Sequence, residues 1–199
     1  MGLVNDDCTF SSEMIKLIRS IGRPLTPCEK DYDLDDPDLY NPELCKACGG
    51  RCCRRCGCFI GPRDFRRRFG GKELTLEAMR REIEKGYFVI ERVDLADYYR
   101  RGLGTVVRMR NIDDRFVIIG AFDVRPASPC VMWDKSYGCK LSRDDRPIGG
   151  RLMVPSPLYV CSGKYGVIEA ASEWLKYEEI TDALIGLYRG VMIPMPDSR

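Results

Sequence analysis

Six cysteines fall within fourteen residues, Cys45 to Cys58, in the order C-x2-C-x3-C-C-x2-C-x-C. Thiols this close cannot all ionise unaided, because neighbouring thiolates repel, and a bound cation is the natural way to hold them deprotonated. A C-x2-C spacing lets two sulfurs approach one metal while backbone N–H groups turn towards them. Gly49, Gly50 and Gly57 let the chain wrap closely round such a centre, and Arg51, Arg54 and Arg55 offset part of the thiolate charge. Adjacent Cys52 and Cys53 cannot both serve one tetrahedral ion in regular backbone, so one of them belongs to a second metal or to the core.

Further along, Cys130 and Cys139 each sit in a Pro- or Gly-flanked loop able to fold back onto the first run, and they read as additional ligands. Cys161 stands evenly between a ligand and a small buried hydrophobe, while isolated Cys8 and Cys28 read as buried hydrophobes. The candidate metal set is therefore Cys45, Cys48, Cys52, Cys53, Cys56, Cys58, Cys130, Cys139 and Cys161. The chain has no histidine. That excludes Ser/His/Asp and Cys/His nucleophiles, histidine-ligated zinc hydrolase sites and the facial triad of non-haem iron. All-sulfur ligation suits zinc and iron–sulfur clusters alike. The run lacks the bacterial ferredoxin spacing and the C-x3-C-x2-C triad of radical S-adenosylmethionine enzymes. One or two 4Fe-4S clusters are favoured slightly over zinc, because the cysteines outnumber the four that one zinc needs.

These residues need a scaffold, and 199 residues with a 44% hydrophobic fraction can supply one domain with its own core. Lys and Arg total 32 against 30 Asp and Glu, and a net charge of +2 gives no bulk field for nucleic acid or anionic membrane. No apolar run approaches the roughly 20 residues that span a bilayer. MGLVNDDCTF carries no signal-peptide pattern, and Asp6 stands where a myristoylation start wants Ser or Thr. The expectation is a reduced, cytoplasmic protein without a membrane partner, in which the thiols are not disulfides.

Ser11 to Gly22 places Met14, Ile15, Ile18 and Ile21 on one stripe and reads as a helix. Residues 23 to 44, with four prolines and a run of aspartates, read as an extended acidic arm. Asp31, Asp33 and Asp35 echo a calcium loop, but Asp36 and Pro42 stand where that loop needs Gly and Glu. A helical turn carrying Phe65 and Phe69 ends at Gly70-Gly71. Residues 75 to 86 then read as an amphipathic helix with Leu76, Met79 and Ile83 inward, capped by Thr75. Residues 87–94, 105–111 and 115–122 read as strands, with Asp113-Asp114 in a turn. Ala171, Trp174, Leu175, Ile180, Leu184, Leu187 and Val191 form a helical stripe over 167–191 that reads as core. The fold class is α+β: one small domain (1–199) with helices around a short, mostly antiparallel sheet and an irregular Cys-rich metal-binding loop. Its parts are an N-terminal helix and arm (1–44), a cysteine-cluster core (45–161) and a C-terminal helix (167–191).

The cysteine pattern resembles the YkgJ-type cysteine-cluster family, described as a zinc- or iron-chelating domain. Cys45, Cys48, Gly49, Cys52 and Cys53 match its leading element with one extra residue, followed here by additional Cys56 and Cys58. Asp64-Phe65 matches its acidic-aromatic element, and Cys130, Gly138-Cys139 and Arg146-Pro147 match the third. The resemblance implies a further cysteine three residues after that dipeptide, which falls at Gly150; Cys161 or the extra cysteines would have to replace it. The family is in turn similar to the cysteine-rich part of flagellin lysine-N-methylases, where an iron–sulfur cluster accompanies methyl transfer.

The leading function is a thiolate metal-binding protein. An iron–sulfur-dependent enzyme, of redox or methyl-transfer type, is an alternative; it would need a pocket lined by non-ligand groups such as Arg108, Arg110, Asp123, Arg125 and Asp144. A metal-knuckle RNA-binding module is a third reading, since Arg51, Arg54, Arg55, Arg63, Arg66, Arg67, Arg68 and Lys72 form a basic stretch. Against it, only Phe59, Phe65 and Phe69 interleave, two of them inward-facing, and the acidic arm stands ready to neutralise the patch.

Overall fold

The computed structural model describes residues 30–36, 38–39, 41–95, 103–114, 116, 118–119, 128–158, 161–194 and 196. Cys8, Cys28, the helix expected over 11–22 and most of the strand expected over 115–122 lie outside the described residues, as do Asp123 and Arg125.

The architecture is α+β. Its centre is a four-stranded sheet of β1 (Phe59–Ile60), β2 (Phe88–Asp94), β3 (Leu103–Met109) and β4 (Ile118–Ile119), in the order β1-β3-β2-β4. The Val- and Ile-rich β2 and β3 pair antiparallel from Phe88 opposite Met109 to Asp94 opposite Leu103. β1 joins the other edge of β3 antiparallel, whereas β4 pairs with β2 in parallel. The Asp113-Asp114 turn therefore does not close a hairpin between neighbouring strands. β3 also begins two residues earlier than the alternation suggests, because Leu103 and Gly104 extend its ladder to β2.

Several helices surround the sheet, and the arm expected to be extended through residue 44 is helical from Pro42, because Asn41 and Pro42 start a helix there. α1 (Pro42–Cys48) opens with Asn41, whose side chain accepts from the Leu44 N–H at 2.9 Å, and with proline at the first position. α2 (Arg51–Arg55) follows after two glycines. α3 (Pro62–Arg68) is capped by Asp64, which accepts from the Gly61 N–H at 3.0 Å. The same carboxylate oxygen accepts from the Ile148 N–H at 2.9 Å, tying α5 (Ile148–Arg151) to α3. Thr75 caps α4 (Leu76–Glu84) by accepting from the Ala78 N–H at 3.2 Å. Met79 and Ile83 of that helix are fully buried, but Leu76 is 38% exposed: it stands at the first helical position, ahead of the buried stripe.

The C-terminal stripe is not one helix. α6 (Val167–Trp174) passes through a 3-10 turn (Leu175–Tyr177) into α7 (Glu178–Tyr188), where Glu178 and Glu179 supply the acids a new helix N-terminus favours. Trp174 fixes the end of α6, its indole N–H donating to the Ile60 carbonyl at 2.7 Å. Ala171, Trp174 and Leu184 reach the core; Leu187 and Val191 are 56% and 40% exposed. The core centres on Phe65, whose ring meets Phe88 edge-on at 5.1 Å and Trp174 at 5.8 Å, together with Ile60, Met79, Ile83, Ile90 and Val107.

The cysteine run is not the irregular loop expected. Four of its six cysteines lie in α1 and α2, and the turn between these helices is made by Gly49 and Gly50 at φ 63° and 67°, a conformation glycine adopts without strain. Two hairpins complete the lobe: β5 (Trp133–Asp134) with β6 (Gly138–Cys139), and β7 (Met153–Val154) with β8 (Ser162–Gly163).

Candidate metal centre

The chain beyond β3 draws distant cysteines together. The Met109 N–H donates to the Cys58 carbonyl at 2.9 Å, Asn111 bridges Cys130 antiparallel, and the Cys130 N–H donates to the Cys53 carbonyl at 2.7 Å. Asn111 turns its side chain the other way and accepts from the Gly57 N–H at 2.7 Å in a buried bond. A Cβ on Gly57 would stand 1.9 Å from the Met109 carbonyl oxygen, so only glycine allows this approach. The β5–β6 hairpin folds against the α1–α2 turn: the Trp133 indole donates to the Gly49 carbonyl at 2.9 Å, and a Cβ on Gly50 would meet the Gly138 Cα at 2.9 Å. Cys139 thereby comes beside α2.

The thiols interact unequally. The Cys52 and Cys53 sulfurs are 4.0 Å apart. Cys53 also contacts Cys139, and its pKa is raised well above the ordinary thiol value by its hydrogen bonds to Cys139 and Cys52 and by burial. Cys139 is correspondingly lowered, by the Cys53 hydrogen bond first and by the Arg146 guanidinium, and Cys52 is lowered by the same Cys53 bond against the cost of burial. Burial pushes Cys130 up to about 12, although the Met132 N–H donates to its sulfur at 3.4 Å, and burial also raises Cys58. Cys45 and Cys161 are raised by burial, and each feels the charges of Cys48 and Cys52. Cys56 closes α2 through its N–H bond to the Cys52 carbonyl at 3.2 Å.

All nine cysteines of the candidate set are free thiols. They gather on the α1–α2 segment and the turn after it, the segment around Cys130 that bridges Asn111, the β5–β6 hairpin and the residue before β8. Among the described residues, however, no three Cys, Asp or Glu side chains already stand grouped as a metal ion requires. The donors thus fit a soft metal by chemical kind, and they meet as neighbours and pairs rather than as a closed cage.

The polar groups considered for an enzyme lie elsewhere. Arg108 and Arg110 are not solvated surface charges but are 6% and 2% exposed. Arg108 pairs with Glu91 at 2.8 Å and with Asp114 at 2.9 Å, and Arg110 donates to the carbonyls of Asp114, Ile193 and Pro194. Burial works against the Arg108 charge, but the two carboxylates outweigh it and hold its pKa above the usual guanidinium value. Asp144 is exposed and accepts from Arg67 through its backbone carbonyl. The basic stretch is likewise divided: Arg63 pairs with Glu173, Arg68 with Glu82, and Arg66 donates to the Tyr177 hydroxyl. Phe65 is fully buried, and Phe59 and Phe69 are half-buried against the core. The acidic arm lies against other partners, with Asp36 paired to Lys164 and Arg143 donating to the Leu34 carbonyl.

Sequence reasoning missed Arg146 as the cation beside the thiols and Asn111 as the clamp on the cysteine run. Arg146 was visible only as part of a dipeptide, and nothing in the sequence around Asn111 marks a partner 54 residues away. Gly150 lies at the same centre: a Cβ there would be 3.3 Å from the Cys58 sulfur. Compared with family models, with curated proteins and with solved structures, the chain matches none.

Proposed function

We propose that the chain is a thiolate metal-binding protein that takes up an iron–sulfur cluster or zinc at the lobe formed by α1, α2 and the β5–β6 hairpin. The observation that carries this reading is the convergence of reduced thiols from separate parts of the chain: Cys53 is bonded through its backbone to Cys130 and through its thiol to Cys139. Cys53, Cys58, Cys130 and Cys139 are the donors closest to this convergence, with Cys45, Cys48, Cys52 and Cys161 beside them. Arg146 supplies a positive charge that lowers the pKa of Cys139 and Cys52, which favours the deprotonated form that a metal needs. The absence of histidine limits the donors to sulfur and carboxylate. A bound cluster would supply redox or Lewis-acid chemistry, whereas zinc would supply structural cross-linking.

Anaerobic purification with an absorbance spectrum and assay of iron, sulfide and zinc per chain tests the proposal. Iron with matching sulfide, or about one or two zinc ions, is the expected result, and replacing Cys53 together with Cys139 by serine should abolish it. Protein that binds neither metal after anaerobic reconstitution would refute the reading.

A further inference from the structure

The face formed by the α1–α2 turn and the β5–β6 hairpin carries a second kind of chemistry that does not depend on the thiols. Lys46, Arg51, Arg54, Lys135 and Lys140 are all exposed there. The side chains of Lys46, Arg54, Lys135 and Lys140 form no ion pair with a described residue; Arg54 instead lies over the half-buried Trp133 ring, 6.0 Å from its centroid. The hairpin tip presents Tyr137, 55% exposed. The contact between Gly50 and Gly138 and the bond from Trp133 to Gly49 hold turn and hairpin together, so these cations and this ring stand on two elements packed against each other. Asp36 of the acidic arm is engaged by Lys164 instead of by these cations.

We propose that this face binds single-stranded nucleic acid, with the cations on phosphates and Tyr137 stacked on a base. Cations flanking an exposed ring are the elements of such a site, because phosphate contacts supply affinity and stacking is tolerant of sequence. An acidic protein would answer the same charges, but a protein interface needs an apolar centre. Apart from Tyr137, the large exposed apolar side chains of the described residues, among them Leu76, Leu158, Leu187 and Met192, all lie off α1, α2 and this hairpin. The site differs from the basic stretch visible in the sequence: it shares only Arg51 and Arg54 with that stretch and adds Lys46, Lys135, Tyr137 and Lys140.

The test is fluorescence anisotropy of the purified full chain with labelled rU12 and dT12 across a salt series, alongside poly-L-glutamate as a competitor. Binding is expected to weaken with salt. Joint replacement of Lys46, Arg54 and Lys135 by Gln should flatten the salt slope by about two, at roughly 0.7 for each phosphate no longer neutralised. Tyr137→Ala should weaken binding at least about five-fold and Tyr137→Phe should restore it. Lys72→Gln, on an exposed residue outside the face, should leave binding unchanged. A preference for rU12 over dT12 or the reverse identifies the natural strand; both fit the proposal. The proposal is overturned by absence of binding at low salt, by equal weakening in Lys72→Gln, or by Tyr137→Ala binding like wild type. It is also overturned if poly-L-glutamate displaces the oligonucleotide at equal charge concentration. Because metal content is assayed separately, failure here leaves the thiolate reading standing, and the converse also holds.

Discussion

The end of β3 and the α1–α2 lobe are joined through Gly57, yet they treat charge in opposite ways. At the end of β3, two arginines are buried and both are answered: Arg108 by Glu91 and Asp114, and Arg110 by backbone carbonyls that include the C-terminal Ile193 and Pro194. In the lobe, most of the thiols lie half-buried against one another, with Arg146 as the cation beside them, and lysines and an arginine stand exposed without an ion-pair partner among the described residues. The first arrangement is what a chain needs to specify a fold, since a buried charge left alone costs several kcal/mol. The second contributes little to stability, and it is where the proposed metal and the proposed nucleic acid would bind.

Asp114→Ala should break the first region most severely. Its carboxylate accepts from Arg108 and from the Asn111 N–H at 2.7 Å, and the loss of one partner of a buried pair costs about 3–5 kcal/mol. A urea melt should show that loss as a lower midpoint with an unchanged slope. Since Asn111 holds Gly57, metal content should fall with it. A midpoint within experimental scatter of wild type would mean that Glu91 alone compensates Arg108, and the contrast between the two regions would collapse.

Gly57→Ala probes the seam itself. The added Cβ would fall 1.9 Å from the Met109 carbonyl oxygen, which is backbone and cannot rotate away, so strand and cysteine run must separate. The expected cost is about 1–3 kcal/mol in the same urea assay, the range of core overpacking. Amide exchange should rise at Gly57 and Met109 together, because separating the strands removes both their N–H bonds. Rigid behaviour at both amides would mean that the lobe is attached by other contacts.

Much of this scaffold was legible because local signals and tertiary packing agree there. Thr75 and Gly70-Gly71 mark helix ends by local chemistry, and Met79, Ile83, Trp174 and Leu184 repeat at helical spacing and are buried. The α+β class and the β2 span followed from the same patterns. The break between α6 and α7 did not, since the apolar stripe runs on through Leu175 and Ile180 while the backbone tightens at Leu175–Tyr177. The parallel placement of β4 beside β2 is a long-range choice that alternation cannot express. At the candidate centre, the cysteines could be enumerated but not grouped, because grouping depends on the Asn111 and Gly49 contacts made across more than fifty residues. The burial of Arg108 was illegible for a related reason: a strand arginine looks like any other charge until its partners, Glu91 and Asp114, are brought beside it.

In the lobe the same kind of damage should pass almost unnoticed by the fold. Cys52 is exposed, and Cys52→Ser is expected to change stability by no more than about 0.5 kcal/mol. Its chemistry should change far more. The hydrogen bond with Cys53 draws the Cys52 pKa down to about 7, so in metal-free protein it should be the exposed thiol that iodoacetamide labels fastest near neutral pH. Peptide mapping at short times checks this, and Cys52→Ser should remove the fast phase. A fast phase that survives would assign the reactive thiol to Cys139, whose pKa is also lowered by a bond with Cys53 but which is half-buried.

The smallest expected effect lies at Asp64, which belongs to the partnered part of the molecule yet is incompletely compensated. Burial raises its pKa above the ordinary carboxylate value, and the N–H groups of Ile148 and Gly61, with Arg151 and Arg67, only partly offset that. A raised folded pKa means that the native state binds the proton more tightly than the unfolded chain does. Its contribution is therefore fully present below the unfolded pKa and is lost as pH rises through the folded one. Wild-type stability should fall over that window by an amount that Asp64→Asn does not share, because the amide stays neutral while its oxygen can still accept from the Gly61 and Ile148 N–H groups. Urea midpoints of both proteins, measured from about pH 4 to about pH 7, isolate the Asp64 contribution by difference, since every other titrating group is common to both. Parallel curves would show that the three donors around Asp64 and the charge of Arg67 balance its burial, and that this region is as fully compensated as Arg108.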